Sequence, residues 1–124
     1  MPEKFYSVAE ANALLPRVRL LVERIRDTQA ALAKDKSVAR VREKAAQNGG
    51  GQPSRHLAEM TRTLEQDLNQ LQEWGIVLRD PSIGLIDFFH QREGETVCLC
   101  WKLGEPAVEW WHPVETGIAG RQRL

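Results

Sequence analysis

Residues 84–101 read GLIDFFHQREGETVCLCW, and this stretch decides the fold. Two short apolar runs, rich in β-branched and aromatic residues, flank a polar turn with a glycine at residues 92–95. That pattern is typical of a β-hairpin. A second turn at residues 104–106 precedes a third apolar run at residues 107–112, so the sequence predicts a three-stranded antiparallel meander.

Two helices are predicted before this sheet. Ser7 and Glu10 have the spacing of a capping box, in which each side chain accepts a hydrogen bond from a free amide of the first turn. Pro16 lacks the amide that an inner turn needs, so we expect the first helix to be kinked or broken there. After the glycine-rich residues 48–54, which interrupt any helix, apolar residues recur every three or four positions until a glycine cap at Gly75. They are Leu57, Met60, Leu64, Leu68, Leu71 and Trp74.

The predicted fold class is α+β. The second helix has one apolar stripe, which the first helix can cover when the two fold into a long antiparallel hairpin of coiled-coil type. The meander has one face to bury, and the hairpin is available to cover it. At 124 residues the chain has the length of one domain. We therefore expect a single domain over residues 1–124, with the hairpin at about 7–75 and the meander and C-terminal tail at about 76–124.

Composition argues against several classes of function. Seventeen Lys and Arg residues balance seventeen Asp and Glu residues, whereas nucleic-acid binding normally needs a basic excess. No apolar run approaches the roughly 18 residues of a membrane span, and the first residues lack the layout of a signal peptide. Cys98 and Cys100 would form a strained disulfide on one strand, which favours a reducing compartment. We expect a cytoplasmic protein without membrane or nucleic-acid partners, and the absence of net repulsion favours a homodimer.

Three blocks of the sequence carry a resemblance to a protein family. They are residues 5–16 (FYSVAEANALLP), residues 75–88 from Gly-Ile to Gly-Leu-Ile-Asp-Phe, and residues 99–121 with Leu-Cys-Trp-Lys-Leu-Gly-Glu, Trp-His and Gly-Ile-Ala-Gly-Arg. These blocks resemble a family of small uncharacterised bacterial proteins, a domain of unknown function (DUF2203-like). The resemblance implies a cytoplasmic bacterial protein and brings no established activity with it.

The candidate site consists of polar and aromatic residues in the strand region. They are Asp87, Glu105, Glu109, Trp110, Trp111, His112 and Arg121. Asp87 interrupts an apolar run, and a carboxylate there is costly to bury without a partner. We expect it to pair with Arg121 or to cap a helix. Trp110 and Trp111 point to opposite faces of their strand, so one is expected under the helices and the other under the tail or at a partner surface.

We predict no catalytic residue, no cofactor and no metal. The sequence Cys98-x-Cys100 followed by Trp-His has none of the separations of a zinc ribbon or finger. Cys100, next to Trp101, is expected to fill the core as a small hydrophobic residue.

Three hypotheses for the function stay open. The first, which we prefer, is a non-catalytic interaction or structural module that self-associates through its helical hairpin, with a protein or small anion as a further partner. The second is a protein that binds a small anion through Arg121 and His112, because arginine recognises carboxylates and phosphates in bidentate fashion. The third is a metal-dependent hydrolase that uses Asp87, Glu105 and His112. Whether the protein is an enzyme is left open, with a preference for none.

Overall fold

The computed structural model describes residues 4–34 and 55–124. Within them the chain forms two helices, α1 (Val8–Lys34) and α2 (Arg55–Glu73), and then a five-stranded antiparallel sheet whose strands are adjacent in chain order. The strands are β1 (Ile76–Asp80), β2 (Leu85–Arg92), β3 (Glu95–Trp101), β4 (Trp110–Pro113) and β5 (Gln122–Arg123), and a 3₁₀ helix (Gly117–Gly120) lies between the last two. The α+β class is confirmed. Neither helix in the described ranges is long and apolar enough to cross a membrane.

The prediction of three strands is wrong, since the sheet has five. The additional strands are β1, which pairs with β2, and β5, which pairs with β4. β5 has only two residues, so no side-chain alternation can reveal it in the sequence. Both strands form because β2 and β4 each offer an open row of amide and carbonyl groups to the chain that runs past them. The predicted third strand is also shorter than expected, since β4 begins at Trp110.

The first helix begins at the predicted capping box. The Ser7 amide donates to Glu10 Oε1 at 2.9 Å, and the Glu10 amide donates to Ser7 Oγ at 3.0 Å. α1 then continues through Pro16 without a break, so the predicted kink or break there is wrong. Pro16 itself is exposed, whereas Leu15 before it and Val18 after it are buried in the core. Their packing keeps the helix in line despite the missing amide. The predicted break at residues 48–54 lies outside the described residues.

The two helices are antiparallel neighbours. The Tyr6 hydroxyl, just before α1, donates to the carbonyl of Trp74, just after α2, at 2.5 Å. Further along, the Arg24 guanidinium donates to both carboxylate oxygens of Asp67 at 2.7 and 2.6 Å. Leu64 and Leu68 of α2 pack against the core cluster. The predicted helical hairpin is therefore present in the described residues.

The two faces of the sheet differ in chemistry. The face toward the helices carries the apolar core residues of the strands, which pack with the buried residues of α1. They are Ile76, Ile86, Phe88, Leu99 and Trp101. Because side chains alternate along a strand, the residues between them point to the opposite face. That outer face holds Asp87, Cys98, Cys100 and His112, all of them buried.

Candidate functional site

The centre of the site is the pair Asp87 and His112, on two strands separated by β3. Cys100 is the β3 register partner of Asp87, and Cys98 is the register partner of His112. Asp87, Cys100 and His112 are each only 1% exposed. Their nearest donor atoms, one from each residue, all lie within 4.8 Å of one another. Three strands thus bring an oxygen, a sulfur and a nitrogen together on the outer face.

Both ring nitrogens of His112 lie against hydrogen-bond acceptors. Nδ1 is 2.7 Å from the backbone oxygen of Pro113, and Nε2 is 2.9 Å from Asp87 Oδ1. A carbonyl oxygen can only accept, so Nδ1 must carry a hydrogen. Nε2 and the Asp87 oxygen would then present lone pairs to each other, unless one further proton or another cation lies between them. The Asp87–His112 pair therefore needs a positive charge at that position.

The second oxygen of Asp87 is held by Arg79. The Arg79 Nε–H donates to Asp87 Oδ2 at 2.7 Å, and the Arg79 side chain is 41% exposed. This hydrogen bond raises the pKa of Arg79. The expectation that Asp87 pairs with Arg121 is wrong, because the register of β1 against β2 brings Arg79 close to the carboxylate instead.

The two thiols are poor nucleophiles. Burial and, to a smaller extent, the negative charge of Asp87 raise the pKa of Cys98 and of Cys100 to about 11. The guanidinium of Arg79 opposes this rise at Cys98, and that of Arg121 opposes it at Cys100. Both cysteines are free. At neutral pH they are therefore thiols.

Arg121 lies beside Cys100 and is anchored by Glu105. The two side chains form an ion pair, and both are mostly buried. Arg121 also lies 3.5 Å from the Cys100 backbone oxygen and 4.9 Å above the ring of Trp110. Its Nε is buried without an acceptor among the described residues. Glu105 in turn accepts from the Lys102 amide at 2.9 Å, so the pair connects the tail to the loop after β3.

The other candidate residues lie outside this cluster. Glu109 forms an exposed ion pair with Arg123 at 2.8 Å. Trp110 packs under the tail, where the guanidinium groups of Arg121 and Arg123 lie 4.9 and 5.2 Å from the centre of its ring. Trp111 packs against the core on the helical side. The two tryptophans therefore occupy opposite faces of the sheet.

Sequence reasoning missed Arg79, Cys98 and Cys100 as members of the site. A comparison of cysteine and histidine spacing with zinc motifs considers only distance along the chain. Here the donors come from three different strands, and they meet because the register places them side by side. The available signal was that Asp87, Cys98 and Cys100 all share the face opposite to the core residues of their strands.

The chain matches a sequence profile over nearly its whole length. The profile, described as "Uncharacterized conserved protein (DUF2203)", covers residues 4–124. The chain belongs to this family. No curated protein and no solved structure gives a significant match. Because the description of the family includes no activity, the function has to be argued from the site itself.

Proposed function

We propose that this protein binds one divalent transition-metal ion of the zinc class, without catalysis, through Asp87, Cys100 and His112. The observation that carries the proposal is the environment of His112. Its Nδ1–H donates to a backbone carbonyl, which leaves Nε2 as a bare donor directed at a carboxylate oxygen. Histidines that bind metals commonly have this arrangement, in which the second ring nitrogen is fixed by a carbonyl or carboxylate.

The surroundings of Asp87 fit the same role. Carboxylates that bind metals are themselves held by hydrogen bonds, and Arg79 Nε holds Oδ2 at 2.7 Å. Oδ1 is thereby directed toward His112 Nε2. The carboxylate, the imidazole and the Cys100 thiol form a set of one oxygen, one nitrogen and one sulfur donor. Zinc accepts all three donor types and prefers four ligands, so these three residues would hold the ion and leave one position for a ligand from outside the chain.

The charge of the cluster favours exchange of protons for a metal. The metal-free pair holds one proton between Asp87 and His112, and Cys100 holds another. A divalent ion that displaces both protons leaves the total charge of this buried cluster unchanged. Burial strongly disfavours added charge, so a neutral exchange is the favourable way to load the site. A metal also overcomes the raised pKa of the Cys100 thiol, because a coordinated thiol is deprotonated outright.

The donor set indicates which metals are preferred. A thiolate is a soft ligand, and magnesium and calcium prefer oxygen donors alone. Imidazole and thiolate together suit zinc, and cobalt(II) can take its place in the same geometry as a spectroscopic probe. We therefore expect zinc and cobalt(II) to bind, and magnesium and calcium not to compete at millimolar concentration.

Two observations argue against the hydrolase and the anion site. Asp87 and His112 are almost completely buried, so a substrate has no access to them. Glu105 and Arg121 are paired with each other, so neither is free to act as a general base or to bind an anion. Self-association through the hairpin and a cytoplasmic location stay predictions; free thiols as ligands are compatible with a reducing compartment.

The test measures metal content and its dependence on single donors. Protein purified without chelator is analysed by native mass spectrometry, and metal-free protein is titrated with cobalt(II). We expect one equivalent per chain and a sulfur-to-cobalt charge-transfer absorption. Cys100→Ser should lose this absorption, whereas the matched control Cys98→Ser should keep it. If cobalt(II) and zinc fail to bind at micromolar concentration, the Asp87–His112 pair is a purely structural, proton-bridged contact.

A further inference from the structure

A metal ion cannot reach the three donors unless part of the protein moves. Asp87, Cys100 and His112 are each 1% exposed. The helices cover the opposite face of the sheet, and on the outer face the C-terminal segment 114–124 places Arg121 over Trp110 and beside Cys100. The question is therefore which part of this cover opens.

The C-terminal segment is weakly attached to the rest of the chain. No residue of the segment 114–124 is buried. Its backbone is held by the two-residue strand β5, by the Leu124 amide, which donates to the Glu109 carbonyl at 2.9 Å, and by the Thr116 amide, which donates to the Pro113 carbonyl at 3.3 Å. Segments with few buried apolar contacts open locally at low cost in free energy. The side-chain contacts of the segment therefore weigh heavily in keeping it closed.

Arg121 is the side chain that joins this segment to the metal site. The register of β5 on β4, Trp110 with Arg123 and Trp111 with Gln122, places Arg121 next in line across from His112. Arg121 approaches the Cys100 backbone oxygen, covers the ring of Trp110 and forms its ion pair with Glu105. Its buried Nε–H has no acceptor among the described residues, which leaves the closed state incompletely satisfied.

We infer that segment 114–124 is a movable cover over the metal site, and that the Glu105–Arg121 ion pair sets the rate at which metal enters and leaves. The inference rests on the proposed function. In the closed state Arg121 lies against Cys100. When the ion pair breaks and β5 separates from β4, the sulfur and imidazole side of the cluster becomes open to solvent. The cover acts on the rate of exchange, because it contributes no ligand.

The chain provides a matched pair of variants for the test. Glu105→Gln removes the charge that holds Arg121 but keeps an oxygen for the Lys102 amide. Glu109→Gln removes the charge that holds Arg123 in the same segment, in an ion pair that is largely exposed to solvent. Exposed ion pairs contribute little, whereas a charge-assisted hydrogen bond shielded from water contributes more. A comparison of the two variants therefore distinguishes the proposed role of the Glu105–Arg121 ion pair from the effect of losing any negative charge near the segment.

The first measurement needs no metal. In a Cys98→Ser background, Cys100 is the one remaining cysteine, and its alkylation by iodoacetamide reports exposure of the site in metal-free protein. We expect Glu105→Gln to accelerate alkylation at least about tenfold, and Glu109→Gln to change it less than about threefold. The second measurement is transfer of zinc from loaded protein to a chelator, which should accelerate by a similar factor while the affinity for zinc changes little.

The possible outcomes distinguish failure of the metal-binding proposal from failure of the proposed cover. If alkylation accelerates in Glu105→Gln but no variant binds zinc, the cover stands and the metal proposal fails. If zinc binds and neither glutamine variant changes alkylation or transfer, the cover is refuted. The inference also fails if Arg79→Gln, on the other side of Asp87, accelerates alkylation while Glu105→Gln does not, because the site then opens at β1.

Discussion

Asp67, which is buried between the helices, is held by Arg24 through two hydrogen bonds of 2.7 and 2.6 Å. Arg24 lies on the solvent side of α1, and its side chain is 59% exposed, whereas that of Asp67 is 5% exposed. Among residues 4–34 and 55–124, Arg24 therefore provides the charge that compensates this buried carboxylate. This bidentate ion pair fixes the register of the two helices near the middle of the hairpin.

Removal of Arg24 should destabilise the protein more than removal of a neighbouring surface arginine. We expect Arg24→Gln to lower the free energy of unfolding by about 1–3 kcal/mol, below the range for fully buried pairs because water can reach the vacated position. Arg26→Gln, which breaks an exposed ion pair with Asp27, should change it by less than about 0.5 kcal/mol. Urea denaturation measures the free energy of unfolding of both variants, and equal losses would contradict the role assigned to the Arg24–Asp67 ion pair.

The hydrogen-bond donors and acceptors around His112 predict that Asp87→Asn folds well. An asparagine can donate its amide to the bare Nε2 and accept from Arg79 with its oxygen, so every polar group keeps a partner. In the presence of chelator we expect a loss of less than about 1 kcal/mol. Asp87→Ala leaves Arg79 and His112 without partners and should cost about 2–4 kcal/mol.

The same variant should lose metal binding. An amide is a much weaker ligand for zinc than a carboxylate, and asparagine does not supply the negative charge that the neutral exchange requires. The measurement is zinc affinity by competition with a chelator, run on the variant whose fold has been verified by circular dichroism. An Asp87→Asn protein with wild-type affinity would remove Asp87 from the ligand set.

The capping box at the start of α1 should contribute measurably to stability. Ser7→Ala removes the acceptor for the Glu10 amide, and we expect a loss of about 1 kcal/mol. Ser7→Thr keeps a hydroxyl in the same position and should retain most of the stability. The midpoint of thermal unfolding is the measurement. If the alanine and threonine variants unfold at the same temperature, the hydroxyl does not act as a cap.

Tyr6, the single tyrosine of the chain, provides a test by pH. Burial raises the pKa of its hydroxyl, and the nearby carboxylate of Glu10 raises it further. The folded protein therefore holds this proton more tightly than the unfolded chain, whose tyrosine titrates near pH 10. The contribution to stability is complete below about pH 10 and is lost as the pH rises above that value.

Ultraviolet absorbance of the phenolate follows this titration directly. We expect half-ionisation of the native protein clearly above pH 10, and near pH 10 in denaturant. Glu10→Gln should lower the native value only in part, because burial is the larger cause. Identical titration of Tyr6 in native and denatured protein would show that the hydroxyl is not buried.

Two glycines with a left-handed backbone conformation allow the energetic cost of backbone strain to be distinguished from the cost of overpacking. Gly84 has φ +65°, and a methyl group there would lie 2.4 Å from Leu103 and 2.9 Å from Val22. Gly94 has φ +80° and open space around it. We expect Gly94→Ala to cost about 1 kcal/mol from the backbone alone. Gly84→Ala should cost at least about 1–3 kcal/mol more because of overpacking, and equal losses in chemical denaturation would contradict this account.

Much of the secondary structure could be predicted from the sequence. The capping box, both helices and the hairpin at residues 84–101 depend on spacing and turn residues that act within a few positions. The strands β1 and β5 could not be predicted, because they form only where a neighbouring strand offers free backbone groups. Pro16 was misjudged because buried residues on both sides of it outweigh the missing amide.

The same distinction applies to the candidate site: some of its residues could be selected from the sequence, whereas their contacts depend on the fold. Asp87 and His112 stand out in the local sequence as polar residues next to apolar and aromatic ones, and this pattern was enough to select them. Their contact, between residues 25 apart in the chain, and the inclusion of Arg79 and Cys100 depend on which residues lie opposite one another in β1 to β4. A register shift of one residue would turn each of these side chains to the other face. Register is set by the packing of Phe88, Leu99 and Trp101 on the helices, which is a property of the folded chain and not of any short segment.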